Sequence, residues 1–207
     1  MDEVFTTVQY CQIASARDRA LRLQDRPAVY AWYRRLQLGQ EAGDAEQFVA
    51  AVNELLAARL SPPHDATLGY LYAVTVQETS GGLSERGAEL LEAVSRSADA
   101  RRELSAILEL ASPLQAPLYV GKTVSLRRRI ADHIAGGFAS ELKSLLGEAG
   151  IRLDQCILRY RYLDNSATLA AAIERAGIGG AASDAVCLLV EELLTRLSPA
   201  AFVRRPG

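Results

Sequence analysis

"PLYVGKTVSLRRRIADHI", residues 117–134, joins a short extended run to a G-K-T turn and a basic helix. A phosphate-cradling P-loop requires G-x-x-x-x-G-K-[ST], because glycine-rich backbone must curl its amides around the phosphates. Counting back from Gly121, the first glycine belongs at position 116, which is Ala116, followed by Pro117 and the extended "LYV". That leaves no glycine cradle and argues against ATP or GTP binding. The stretch is instead a strand that turns at Gly121, Lys122 and Thr123 into a helix near 124–135. On this helix Leu126, Ile130 and Ile134 recur at i, i+4 and i+8 and define a buried stripe. At about 100° per residue, Arg129 and His133 run together along one edge of the stripe, Arg127 flanks the other, and Arg128 points nearly opposite.

Strand character recurs on either side. "AVYAWYRRL", from Ala28, is rich in Val, Tyr and Trp, and alternation puts Ala28, Tyr30 and Trp32 on one face and Val29, Ala31 and Tyr33 on the other. "QCILRYRYL", from Gln155, alternates in the same way. Residues 1–25 look helical around "IASARDRALRLQ" until "DRP" breaks the pattern. Between Gly39 and about Ser112 the texture is helical: Asp44 can cap a helix carrying Phe48, Val52, Leu55 and Leu56, and a longer helix runs from Ser84 to about Leu110. This block reads as a small helical bundle, with 66–76 open to a strand as well; His64, in "SPPHD", reads as a loop residue. A short helix is expected near 139–149, another over "DNSATLAAAIER", and a last one over "DAVCLLVEELLTRL".

Composition bounds the function. The chain has 207 residues, with 23 basic against 25 acidic side chains and a net charge of −2, which argues against indiscriminate coating of nucleic acid. Phosphate binding would fall to local clusters: Arg34 with Arg35; Lys122 with Arg127, Arg128 and Arg129; and the C-terminal Arg204 and Arg205. No apolar run approaches the roughly 20 residues of a membrane-spanning helix, and the start lacks a basic end followed by an apolar block. A cytoplasmic location is expected. Cys11, Cys156 and Cys187 are scattered and odd in number, so they support neither a disulfide framework nor a zinc site.

The segment "LYVGKTVSLRRRIADHI" resembles the second half of the GIY-YIG nuclease signature, Y-[IV]-G-K-[TS] with an arginine ten residues after the tyrosine and a histidine four beyond it; Tyr119, Gly121, Arg129 and His133 fall at those offsets. Upstream, "AVY" at 28–30 resembles the GIY element with Ala28 in place of glycine. Downstream, "LLVEELLTRLSPAAFVRRPG" resembles the closing helix and tail, with Phe202 where the family has asparagine. The resemblance implies an α/β fold of the α+β kind, a small mixed or antiparallel sheet flanked by helices. Residues 1–38 would supply an N-terminal helix and the first signature strand, 39–114 an inserted helical subdomain, and 115–207 the remainder of the nuclease domain.

It further implies a metal-dependent endonuclease that hydrolyses phosphodiester bonds in DNA and leaves a 5′-phosphate. Glu191 would hold Mg²⁺ or Mn²⁺. Glu192 competes for that role, but Glu191 has apolar neighbours at both −3 and +3 and so lies at the buried face, which favours it. Arg129 would bind the scissile phosphate, Tyr30 and Tyr119 would orient or deprotonate the attacking water, and His133 would orient a tyrosine or relay a proton. Lys122 would supply a cation to the tyrosines or contact DNA, as would Arg127, Arg128, Arg204 and Arg205. Ala28, Phe202, the acidic balance and the long insertion point to an alternative, a catalytically inactive binding or scaffolding subunit. The insertion is the natural docking surface for a protein partner.

Overall fold

A computed structural model describes residues 5–38, 43–57, 64–68, 72–76, 82–136, 142–163, 167–176 and 181–197. The fold is α+β. Its centre is a four-stranded sheet made of β1 (Thr6–Gln9), β2 (Ala28–Arg34), β5 (Tyr119–Thr123) and β6 (Cys156–Tyr162), in the order β1-β6-β2-β5. Every pairing in it is antiparallel. The central strand β2 is buried over Ala28–Trp32, as its continuous Val, Tyr and Trp content demands of a strand covered on both faces. Strand β5 lies at one edge.

Residues aligned across neighbouring strands share a face. Tyr30 opposes Gly121 on β5 and Tyr160 on β6, and Trp32 opposes Tyr119, so these aromatic positions line one face. Helix α5 (Leu126–Ala135) covers it, burying Leu126, Ile130 and His133. It ends at Gly136, whose φ of 72° is the left-handed conformation that glycine adopts without steric cost. On the opposite face Val29 and Leu163 pack with Val186 and Cys187 of helix α8 (Ala182–Leu197), joined by Ala170 and Ile173 of α7 (Ala167–Arg175).

The chain divides into two compact units, one comprising 1–34, 115–147 and 151–207, the other 35–114 with 148–150. The second contains α2 (Ala45–Ala57), α3 (Glu85–Ser95) and α4 (Ala98–Ala111), which gather around Leu38, Phe48 and Leu91. Asp44 accepts from the Gln47 amide at the start of α2, as a helix cap should.

Several local expectations are corrected. The second unit is a bundle with strands in it: the strand alternative for 66–76 holds as two strands, β3 (His64–Leu68) and β4 (Tyr72–Val76), paired as an antiparallel hairpin, and His64 begins a strand rather than sitting in a loop. The single helix expected from Ser84 is two, because Ser97 caps α4 by accepting from the Ala100 amide and so starts a new helix. The N-terminal helix is short. Only Ala16–Arg22 forms α1, and Thr6–Gln9 is the edge strand β1, stabilised by its distant partner β6. Helix α6 (Leu142–Glu148) falls within the range expected for it.

Candidate functional site

The candidate site lies where α5 meets β2 and the edge strand β5. Tyr30 Oη is 2.7 Å from His133 Nε2, and Arg129 Nε donates to Tyr30 Oη at 3.2 Å. The Tyr30 and Tyr119 rings stack with centroids 6.0 Å apart, and His133 meets both edge-on, at 5.6 and 5.4 Å. Four side chains from three elements therefore form one network, and Arg129, at the half-exposed side of α5, is its cationic end.

Gly121 makes this packing possible. A Cβ built there would lie 2.7 Å from Tyr119 Cε1 and 2.8 Å from Tyr30 Oη, closer than van der Waals contact permits. The glycine of "YVGKT" thus serves a close approach of two tyrosines.

Burial sets the protonation of the interior pair. Tyr30 is 1% exposed, and desolvation, with Tyr119 adding to it, raises its phenol well above the ordinary value against the pull of Arg129. Burial, and then the Arg129 charge, push His133 down to about 3. At neutral pH both groups are uncharged. Since arginine can only donate, the one Tyr30 proton is left to go to His133 Nε2 or toward Tyr119. A phenol held neutral cannot act as a base. Tyr119 is less enclosed and stands nearer solvent.

The acidic component arrives from the other face. Glu191 of α8 accepts from the Lys122 amide at 3.1 Å, on the edge of β5, where among the described residues that N–H has no strand beyond it to pair with. The faces of a sheet are separated along its middle and meet at its edge, which is how a carboxylate from the α8 side comes within the electrostatic reach of Arg129 from the α5 side. Desolvation raises the Glu191 pKa, against the lowering by Lys122 and Arg129. Glu192 is exposed. The Lys122 ammonium pairs with Asp184 at 3.2 Å.

Glu191 suits a hard divalent cation, being a half-buried carboxylate oxygen donor. Among the described residues no three or more His, Cys, Asp or Glu side chains gather as a metal site. Mg²⁺ or Mn²⁺ held here would rest on Glu191, with water and substrate oxygens filling the remaining positions, a mode magnesium accepts.

Tyr30, Tyr119, Lys122, Arg129, His133 and Glu191 thus come together. Arg127 and Arg128 do not join them: both are exposed on α5, and Arg127 pairs with Asp25, which also accepts from the Ser125 hydroxyl. Arg204, Arg205 and Phe202 lie outside the described residues. His133 is not at the edge of the α5 stripe. It is 1% exposed, deeper than Ile134, because Tyr30 gives its ring a polar partner in the interior. Sequence analysis missed Asp184, although its place seven residues before Glu191, on the same side of one helix, was a usable signal. No family model, curated protein or solved structure matches the chain.

Proposed function

We propose that the protein is a metal-dependent endonuclease of the GIY-YIG type, hydrolysing phosphodiester bonds in DNA. The observation that supports it most is the convergence at the β5 edge of a planar cation, a tyrosine pair, a neutral histidine and a carboxylate, drawn from β2, β5, α5 and α8.

Such hydrolysis needs an oriented water, neutralisation of the phosphoryl oxygens and help for the departing oxygen. Arg129 binds the scissile phosphate, its fork matching two oxygens, and Tyr30 fixes that fork through Nε. His133 holds the Tyr30 hydroxyl in turn. Tyr119, on the open side of the pair, orients the attacking water. Glu191 holds Mg²⁺ or Mn²⁺, which when bound neutralises developing charge and lowers the pKa of coordinated water. The product carries a 5′-phosphate. The location proposed is cytoplasmic; among the described residues no helix is long and apolar enough to cross a membrane.

Supercoiled plasmid incubated with Mg²⁺, Mn²⁺ or chelator tests this. Metal-dependent nicking is expected, reduced at least about 100-fold by Glu191→Ala and by Arg129→Ala. Unchanged nicking in both variants would refute the assigned roles. The second proposal, an inactive binding subunit, draws support from the pre-paired cations Lys122 and Arg127. DNA retention without cleavage under every metal would favour it. A protein partner of the 35–114 unit is supported by the exposure of Leu110 and Leu114, at 82% and 87%.

A further inference from the structure

Helix α8 holds Lys122 at two points. Glu191 takes its amide, and seven residues earlier Asp184 takes its ammonium. Two turns separate the carboxylates, so both face β5 from one side of the helix. Only Glu191 has a part in the chemistry proposed above.

Asp184 is not needed to dock the helix. Its side chain is 55% exposed, while Val186 and Cys187 carry the apolar contact with the sheet. Nor does Lys122 need a counter-ion for burial, since its own side chain is 27% exposed at a strand edge open to water. What the pair does is occupy the ammonium. Carboxylate and phosphate oxygens accept from an ammonium in the same way, and a lysine head on its flexible four-carbon stem can exchange one for the other.

Resting on the nuclease assignment, we propose that Asp184 is a positioning residue that holds the Lys122 ammonium in place of a backbone phosphate oxygen. DNA must displace the carboxylate before it gains Lys122. The exchange lowers affinity for any anion that cannot present a phosphate beside β5, and it keeps Lys122 extended toward α8 until one arrives.

The test is anisotropy titration of a labelled DNA duplex at low salt in chelator, with the full chain as wild type, Asp184→Asn, Lys122→Met and the double variant. Asp184→Asn should bind about three- to fivefold more tightly, and the gain should be absent from the double variant. Equal or weaker binding by Asp184→Asn would overturn the proposal, as would a gain that persists without Lys122. Wild-type binding with no gain removes this inference alone. No DNA binding by any of the four proteins removes the nuclease assignment and the inference together.

Discussion

The α8 face of the sheet buries Val29, Leu163, Val186 and Cys187, side chains with almost nothing to hydrogen-bond, whereas the α5 face buries Tyr30, Trp32, Tyr160 and His133, each with a polar atom to satisfy. An unpartnered buried polar group costs free energy, and three of these four are partnered: Arg129 donates to Tyr30, Tyr30 meets His133, and Tyr160 donates to the Arg22 carbonyl, whereas Trp32 Nε1–H has no partner among the described residues. The aliphatic face fixes a helix in place. The polar face fixes hydrogen-bond directions, which is what the proposed phosphate chemistry would require. Glu191 is carried on the helix of the first and lies within electrostatic reach of Arg129 on the second.

That contrast is strongest in acid. His133 is neutral in the folded chain down to about pH 3, while in the unfolded chain it takes a proton below about 6.5. The unfolded state therefore binds more protons throughout that window, and stability falls as pH drops from 6.5 toward 3. The contribution is on the order of 5 kcal/mol. Urea denaturation across that range should show a steeper acid loss for the wild type than for His133→Gln; identical slopes would mean that the imidazole is not buried neutral.

A smaller break comes from Gly121→Ala, whose methyl must push the Tyr30 hydroxyl and the Tyr119 ring apart. We expect a loss of about 2 kcal/mol, read as a lower denaturation midpoint, together with impaired nicking even where the variant is folded. Full activity with an unshifted midpoint would show that the tyrosines repack freely. The smallest of the three effects is on the other face. Val29→Thr keeps the shape and adds a hydroxyl among aliphatic neighbours, so it should cost about 1 kcal/mol and leave DNA nicking unchanged. A nicking defect there would mean that the two faces are not functionally separate.

Much of the sheet was legible because its strands carry their own signals. The Val, Tyr and Trp content of "AVYAWY" and the alternation in "ILRYRY" predict β2 and β6. Strand β1 was not, since "TTVQ" is only four residues long and owes its form to β6, some 150 positions away in sequence. The break before α4 was readable in Ser97 but masked by helical spacing that continues across it. At the site, the offsets of Arg129 and His133 from Tyr119 mark the residues, but the depth of His133 follows from a hydrogen bond to another strand that no local pattern encodes. The Asp184 pair depends on how α8 lies along β5, which likewise is tertiary information.

Trp32, fully buried, stands edge-on to His133 with ring centroids 6.5 Å apart, and it is the only tryptophan of the chain. Its Nε1–H has no hydrogen-bond partner among the described residues. The protein consequently carries an intrinsic fluorophore at the centre of its candidate site, with no second emitter of its kind to obscure it. Protonation of the neighbouring imidazole, or a shift of the tyrosine pair when a phosphate engages Arg129, would alter its emission without any label. Reaction-site events and global unfolding could then be followed in one cuvette.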